Sequence, residues 1–226
     1  MLRVAFICGG LHMIHPAARD LILNEEVGGE TFYAARGSRP IWPGGTSGIT
    51  IGIGYDLGYG TRAELRRDWG AVLDEDALTR LRKVVGIRGA NADSLEERRR
   101  FLGYVDDLAD VTVPWCQAVS VFTRTSLLQC LKATLAAFPG LERLPDLCQG
   151  AMVSLVYNRG AGLIGPNRVE MKNIRDLIAA DCPAGVPDQI RGMKRLWPTL
   201  IGLQRRRDEE AALFEQGLAL WPMAMA

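Results

Sequence analysis

Hydrophobic and polar positions along the chain predict helices for most of its length, with one glycine-rich interruption near the start. In "HPAARDLILNEEVGG" the apolar residues recur at helical spacing, and Pro16 is tolerated in a first helical turn. Gly28 and Gly29 predict the end of that helix. Residues 30–58 lack helical spacing, and "GITIGIGYDLG" alternates β-branched residues with glycine, which is typical of a short strand or hairpin.

Downstream of this segment the pattern is helical again. The sequences "TRAE" and "SLEE" have the spacing of capping boxes and predict helices that begin near residues 62 and 95. The stretch 114–140 carries few charges and predicts a central, mostly buried helix, and "LPDLCQGAMVSLVYNRG" predicts another that ends at Gly160. Further helices are expected around 167–180, 187–196 and 203–217.

This order of elements predicts an α+β fold that is mainly helical, with a small N-terminal lobe containing a β-hairpin and a larger helical C-terminal lobe. At 226 residues the chain is long for one helical domain and short for two, so we expect a single two-lobed domain over 1–226. Within it, 1–18 forms an N-terminal extension, 19–60 holds the first helix and the hairpin, and 61–226 forms the helical lobe.

The charge balance and the first residues limit the expected partners. Twenty-seven basic and 26 acidic residues give a formal charge of +1, so the composition gives no reason to expect a nucleic-acid partner. The opening "MLRVAFICGGLHMI" has a short apolar run broken by glycines, which is too short for a stable membrane span and a poor match to a signal peptide. We therefore expect synthesis in the cytoplasm, with the export route left open.

Cysteine and histidine are too scattered to predict a metal site. The five cysteines form no CxxC pair and no Cys/His cluster, and the histidines are His12 and His15. Neither a zinc site nor a histidine-activated nucleophile is expected. Three cysteines in apolar stretches are interpreted as small buried hydrophobic residues, namely Cys116, Cys130 and Cys148.

The glycine-rich segment "WPGGTSGITIGIGYDLG", residues 42–58, does not fit the common ligand-binding loops. No lysine follows its glycines, which excludes a P-loop, and the glycine spacing without a βαβ pattern does not fit a dinucleotide fold. Asp56 is its single acid, whereas a calcium loop needs several. A turn without chemistry and a part of an active site remain as alternatives.

Two acids, Glu25 and Glu26, end the predicted first helix just before the glycine-rich segment. One Glu at a helix end is ordinarily a solvated surface charge. A carboxyl group at a partly desolvated helix end has its charged form disfavoured, which suits a general acid. The glycine-lined hairpin that follows favours this second interpretation.

Three separated stretches together resemble a known enzyme family. Glu26, Tyr33 seven residues later and the "TIGIG" strand resemble the active-site signature of phage-type lysozymes, and the whole glycine-rich segment is most similar to the pesticin-like muramidase branch. The stretches "GAMVSLVYNRG" and "MKRLWPTLIGLQRRRDEEAALF" also resemble that family and occur in the same order. Glu25 is the alternative to Glu26, but the seven-residue step to Tyr33 favours Glu26.

The resemblance implies a lysozyme-like fold and hydrolysis of the β-1,4 bond between N-acetylmuramic acid and N-acetylglucosamine in bacterial peptidoglycan, without a metal or cofactor. It implies that Glu26 is the general acid and that Thr50 holds the attacking water. Common phage lysozymes have an Asp before this Thr, where the sequence offers only Glu30. The pesticin-like branch has its Asp six residues after the Thr, and Asp56 lies there.

The same resemblance suggests residues that bind the glycan. Asn158 matches an amide that lines the substrate cleft of the family, and an arginine of "QRRRDEE", for which we choose Arg206 over its two neighbours, matches one that steadies the general acid. Trp42 and Tyr55 flank the glycines and present flat rings that suit stacking on sugars. Tyr33 is interpreted as a packing residue under the hairpin.

Basic residues are concentrated from Arg191 to Arg207, where six occur without an acid. This stretch is expected either to attract an anionic wall polymer, in an association that salt weakens, or to form a solvated surface.

Several functional alternatives remain open at this level. Catalysis is expected to invert the anomeric centre, which requires a carboxyl separation of about 6.5–9.5 Å. A non-catalytic glycan-binding module on the same fold and a lytic transglycosylase are the alternatives. The enzyme would act on the cell wall in the periplasm or outside the cell, as a bacteriolytic phage endolysin or as a delivered antimicrobial toxin, and a toxin would imply an immunity protein as a partner.

Overall fold

The computed structural model describes residues 14–90 and 94–224, with the backbone alone for 222–224. Most of these residues are helical, and they contain one small antiparallel sheet of two strands. The α+β, mainly helical class is therefore confirmed. The signal-like start of the chain and His12 lie outside the described residues.

The elements follow one another in a simple order. The helices are α1 (Pro16–Val27), α2 (Gly29–Arg36), α3 (Arg62–Trp69), α4 (Glu75–Leu81), α5 (Leu95–Asp107), α6 (Trp115–Phe122), α7 (Leu128–Ala137), α8 (Asp146–Arg159), α9 (Val169–Ala179), α10 (Val186–Gly192) and α11 (Ile201–Ala224). A π-helical turn, Thr123–Leu127, joins α6 to α7. The strands are β1 (Thr50–Ile51) and β2 (Tyr55–Asp56).

The chain divides into two compact units. The hairpin unit is Leu23–Gln129, and the helical unit is the chain through Ile22 together with the chain from Cys130 onward. Helices α3 to α6 thus belong to the same unit as the hairpin, whereas the sequence places a lobe boundary at residue 60.

Two predicted helix starts have the expected caps. At α3 the Thr61 hydroxyl accepts from the Glu64 backbone N–H at 3.2 Å, and Glu64 Oε2 accepts from the Thr61 N–H at 2.8 Å, which completes a capping box. At α5 the Ser94 hydroxyl accepts from the Glu97 N–H at 3.3 Å. Glu97 Oε1 also accepts from the Ala90 N–H at 2.7 Å, so this cap holds the preceding turn as well. Both predicted starts are confirmed.

Helix α2 contradicts the prediction that residues 30–58 begin without helix. Gly28 and Gly29 are both left-handed, with φ of 66° and 77°, so α1 ends as predicted and the chain re-enters a helix at once. Because α2 buries only Tyr33, its sequence carries no hydrophobic stripe from which to predict a helix.

The most buried helix is α8 and not the stretch 114–140. Ten consecutive α8 residues, 147–156, are buried in the helical unit. The stretch 114–140 instead forms α6, the π turn and α7, and exposes charged residues such as Arg124 and Lys132. The low charge of this stretch does not indicate burial, because small and hydroxyl side chains face solvent there.

The burial predicted for three cysteines is confirmed for one of them. Cys148 is buried on α8, and burial raises its pKa to about 12. Gly217 of α11 lies so close that a Cβ there would be 2.5 Å from the Cys148 sulfur. Cys130 is half-buried, and Cys116 is exposed at the start of α6, so the prediction is wrong for Cys116.

Tyr33 anchors α2 within the hairpin unit. It is 1% exposed, its hydroxyl donates to the Val113 carbonyl at 2.9 Å, and its ring centroid lies 5.2 Å from that of Trp115. Burial raises the pKa of Tyr33, which keeps the hydroxyl protonated as a donor. The residue is therefore a packing residue, as predicted, and these contacts are with the chain that leads into α6.

We expect Tyr33→Phe to lower the free energy of unfolding by about 1 kcal/mol, because it removes a buried hydrogen bond and leaves the Val113 carbonyl unpaired. Tyr59→Phe is the matched control, since Tyr59 is exposed, and it should change stability by less than about 0.5 kcal/mol. Urea unfolding followed by tryptophan fluorescence measures both. Equal effects of the two variants would contradict the assigned role of Tyr33.

Candidate active site

The hairpin unit contains the three predicted catalytic residues, and two of them meet in the hairpin. Strands β1 and β2 are antiparallel, with Thr50 opposite Asp56. The turn between the strands passes through Gly52 and Gly54, whose φ angles of 57° and 68° favour glycine. On its other side Thr50 pairs with Ile41, which donates to the Thr50 carbonyl at 3.0 Å and accepts from the Thr50 N–H at 2.8 Å.

The backbone pairing brings the Thr50 and Asp56 side chains together. Since the N–H and C=O of Thr50 both bond to Ile41, Thr50 and Asp56 form a non-hydrogen-bonded antiparallel pair. In such pairs the Cα atoms are about 4.5 Å apart and the side chains project from the same face. The sequence placed these two residues on one face, and the register agrees.

The Asp56 carboxylate is fixed by backbone donors. Oδ1 accepts from the Gly58 N–H at 2.8 Å and from the Gly48 N–H at 3.0 Å, and Oδ2 accepts from the Gly48 N–H at 3.2 Å. An ionised carboxylate is a pure acceptor with about four lone-pair positions, so Oδ2 retains the capacity to accept from one more donor.

The contact between Gly48 and Gly58 explains two of the glycines in this segment. A Cβ on Gly48 would lie 2.6 Å from the Cα and N of Gly58, and a Cβ on Gly58 would lie 2.9 Å from the Cα of Gly48. Any side chain at either position would separate the two backbones. The glycines therefore let both N–H groups reach the same carboxylate.

The Thr50 side chain is nearly buried but has no protein partner. The residue is 8% exposed, and its hydroxyl makes no hydrogen bond to any residue that the structure describes. Its oxygen is not one of the buried side-chain atoms that lack a partner, so the hydroxyl reaches solvent and can bond to a water or a ligand beside Asp56.

The acids at the end of α1 differ in exposure. Glu26, in the last turn of α1, is exposed, whereas Glu25 is half-buried. The expected partial desolvation is therefore wrong for Glu26 and fits Glu25 better, because the helix turns residue 25 towards the protein. Glu30, the other acid considered from the sequence, is exposed in the first turn of α2.

Tyr55 is tied to α3 by a hydrogen bond that the sequence did not predict. Its hydroxyl donates to Asp68 Oδ2 at 2.9 Å, and its ring meets Trp69 edge-on at a centroid distance of 5.5 Å. Burial alone would raise the pKa of Asp68, but hydrogen bonds from Arg67 and Tyr55 outweigh it and hold that pKa below its usual value. The polar end of Tyr55 is thus used internally, and its stacking on a sugar stays a prediction.

Trp42 is also partly used within the hairpin unit. Its ring stacks on Phe101 with centroids 4.7 Å apart and planes 10° from parallel, and its Nε1–H donates to the Ser47 carbonyl at 3.0 Å. One ring face is therefore covered by protein. Sugar stacking on Trp42 stays a prediction that concerns its other face.

In the helical unit, Arg206 belongs to a buried polar cluster. It is 2% exposed, and its Nε donates to Glu210 Oε1 at 3.2 Å. The Ser154 hydroxyl donates to the same oxygen at 2.7 Å. Burial raises the pKa of Glu210, opposed by the neighbouring arginines. That Arg206 steadies Glu26 stays a prediction.

Asn158 is oriented by Arg207, which the sequence did not single out. The Asn158 side chain is exposed, and its Oδ1 accepts from Arg207 Nη2 at 3.1 Å. Arg207 is fully buried and lies over the Trp197 ring, 5.7 Å from its centroid. Because the amide oxygen faces Arg207, the amide N–H groups point away from it and suit an external acceptor such as an acetamido carbonyl.

The six basic residues from Arg191 to Arg207 are ion-paired within the helical unit, and their attraction for an anionic wall polymer stays a prediction. Every one of them forms an ion pair with an acid of α9 or α11. The pairs are Arg191–Glu215, Lys194–Asp208, Arg195–Glu170, Arg205–Glu209, Arg206–Glu210 and Arg207–Glu210. The charge of this stretch is therefore largely neutralised within the unit.

Across residues 14–90 and 94–224, no group of three or more His, Cys, Asp or Glu side chains has the arrangement of a metal site. None of the helices in these ranges combines the length and the hydropathy needed to cross a bilayer.

Comparison with protein-family models, with curated proteins and with solved structures finds no match to this chain.

We expect Gly48→Ala to lower the free energy of unfolding by about 1–3 kcal/mol, because its Cβ would force the Gly58 backbone away and disturb the donors of Asp56. Gly103→Ala is the control: it lies inside α5 with no atom near the new Cβ, and should raise stability by about 0.5–1 kcal/mol. Urea unfolding measures both. A Gly48→Ala variant as stable as the parent would contradict the close approach of these backbones.

Proposed function

We propose that the protein is a peptidoglycan hydrolase, a muramidase of the pesticin-like type within the phage-type lysozyme superfamily. It hydrolyses the β-1,4 bond between N-acetylmuramic acid and N-acetylglucosamine. The observation that carries the proposal is the pairing of Thr50 with Asp56 across the hairpin, with a Thr50 hydroxyl that has no partner among the described residues.

In the proposed reaction Asp56 is the general base and Thr50 positions the water. A water between them donates one hydrogen bond to Asp56 Oδ2, the oxygen that has spare acceptor capacity, and accepts or donates one at the Thr50 hydroxyl. As the water attacks the anomeric carbon, its proton passes to Asp56. The bonds from Gly48 and Gly58 prevent the carboxylate from turning away during this step.

Glu26 is the proposed general acid, which gives its proton to the leaving glycosidic oxygen. The two carboxyl groups then act on opposite faces of the sugar, and the product has an inverted anomeric centre. The position of Glu26 at an exposed helix end leaves it accessible to a polymer, while the substrate itself supplies the desolvation. Trp42, Tyr55, Asn158 and Arg206 remain the proposed glycan-binding and positioning residues.

We expect Glu26→Gln to reduce the release of reducing ends from purified cell wall by at least about 10²-fold, because glutamine cannot donate the proton. Glu25→Gln is the matched control, one residue earlier on the same helix, and should retain activity. Circular dichroism confirms that both variants fold. If Glu25→Gln loses activity and Glu26→Gln keeps it, Glu25 is the general acid instead of Glu26. If both variants release reducing ends at near-normal rates, neither residue at this helix end is the general acid.

We expect Asp56→Asn to abolish wall hydrolysis while it preserves the hairpin, because the amide oxygen still accepts from Gly48 and Gly58 but no longer takes a proton. Glu30→Gln is the control for the alternative acid of the common phage pattern and should remain active. The measurement is again the release of reducing ends. Full activity in Asp56→Asn with loss in Glu30→Gln would show that the wrong acid has been chosen.

Product chemistry separates this proposal from its two alternatives. A muramidase leaves a reducing N-acetylmuramic acid, a lytic transglycosylase leaves a 1,6-anhydro product, and a glycan-binding module leaves the polymer intact. Mass spectrometry of digested wall distinguishes all three. The biological setting we propose is bacteriolysis as an endolysin or as a delivered toxin, the latter with an immunity protein.

A further inference from the structure

Arg159 and Arg168 of the helical unit lie outside the ion pairs of the 191–207 stretch. Arg159 ends α8, and Arg168 stands just before α9. Neither has a carboxylate within salt-bridge distance among the described residues. Arg168 donates to the backbone carbonyls of Arg159 and Gly160, so two guanidinium groups are held at the C-terminal end of one helix.

Arg159 is unusual because two of its three guanidinium nitrogens have no hydrogen-bond acceptor. Its Nη2 donates to the Asn167 carbonyl at 2.5 Å, and its guanidinium lies over Trp197, 4.8 Å from the ring centroid. Its Nε and Nη1 are buried and have no hydrogen-bond partner. Buried donors of a charged group are costly to leave unpaired, so the ligand-free protein keeps Arg159 at the expense of stability.

The electrostatic surroundings of Arg159 add to this cost. Burial lowers its pKa, and the positive charges of Arg168 and Arg195 lower it further. Glu170 and Glu210 act in the opposite sense, but the Glu170 carboxylate is already bound by Arg195, and Glu210 is already bound by Arg206 and Arg207. An additional anion would therefore be favoured at this position.

The chain next to Arg159 leaves room for a ligand. Gly160, Gly162 and Gly165 follow it, and a Cβ built on any of the three would meet no atom within 4 Å. Gly160 and Gly165 have φ of 73° and 118°, which other residues rarely adopt. This glycine-rich turn thus borders open space and lacks side chains that would block access.

We propose that Arg159, supported by Arg168, binds a carboxylate of the stem peptide that N-acetylmuramic acid carries. The inference rests on the proposed function, because it takes the ligand from that substrate. A guanidinium offers two parallel N–H donors that match a carboxylate, which an uncharged sugar lacks.

A role of Arg159 in ligand binding and a role in stability predict different effects of its replacement. If Arg159 serves ligand binding and not stability, Arg159→Met should leave the melting temperature unchanged or raise it. The methionine side chain needs no hydrogen-bond partner and still packs on Trp197. The same variant should lose recognition of the peptide. Arg143→Met is the matched control, since Arg143 is exposed and its replacement removes the same charge.

The test measures binding to two soluble ligands by calorimetry. They are the disaccharide N-acetylglucosaminyl-N-acetylmuramic acid with its stem peptide and the same disaccharide with its lactyl carboxyl group capped as a simple amide, since the free sugar would itself present a carboxylate. Neither contains the bond from C1 of N-acetylmuramic acid that the proposed reaction cuts. We expect the parent and Arg143→Met to bind the peptide-bearing ligand about tenfold more tightly, the gain expected for a charge-assisted hydrogen-bonded pair, and Arg159→Met to lose this preference. Amidation of the peptide carboxylates should remove the preference in the parent.

Three results would overturn the proposal: no preference in the parent, a preference that survives in Arg159→Met, or a preference that survives amidation. Should Arg159→Met fail to fold, Arg159→Lys replaces it, because lysine keeps the charge but lacks the fork and should lose most of the preference. An intact preference in Arg159→Lys would equally refute the carboxylate site. If the protein is not a hydrolase, binding would still depend on the peptide, but digestion of intact wall would give no products. This outcome is distinct from the three that refute the carboxylate site.

Discussion

The candidate site depends on one interaction, the capture of the Asp56 carboxylate by the backbone N–H groups of Gly48 and Gly58. It joins the chain before β1 to the chain after β2, which holds a sheet of only two residues per strand in register. A two-stranded hairpin this short is not stable by its ladder alone. Asp56 is also the proposed base. Its Oδ1 accepts from both backbone N–H groups, and its Oδ2, which has spare acceptor capacity, is the oxygen proposed to take the proton.

Local chemistry explains what could be predicted from the sequence. The cap at Thr61, the end of α1 at Gly28 and the hairpin between Thr50 and Asp56 all depend on residues close together in the chain, and each was found where expected. Helix α2 escaped prediction because it buries only Tyr33 and therefore has no hydrophobic period. The π turn after α6 likewise has no marker that separates it from an ordinary helix.

Contacts between residues distant in sequence account for what could not be predicted. The basic stretch that ends at Arg207 looked like a field for anions because its acidic partners lie elsewhere on α9 and α11. The bond from Tyr55 to Asp68 and the stacking of Trp42 on Phe101 likewise required the fold. Trp42 and Tyr55, which the sequence suggests for sugar stacking, are therefore used at least in part for packing and hydrogen bonding within the hairpin unit.

Two polar groups bear on the proposed functions: the Thr50 hydroxyl, which has no partner among the described residues, and the buried Nε and Nη1 of Arg159, which lack acceptors. At Arg159, folding alone would favour an apolar side chain, because two guanidinium nitrogens are buried without acceptors. The proposed carboxylate would supply those acceptors, and at Thr50 the proposed water would bond to a hydroxyl that has no protein partner among the described residues. The two proposals therefore use different chemistry: a carboxylate and a hydroxyl for cleavage at Asp56 and Thr50, and a guanidinium for recognition at Arg159.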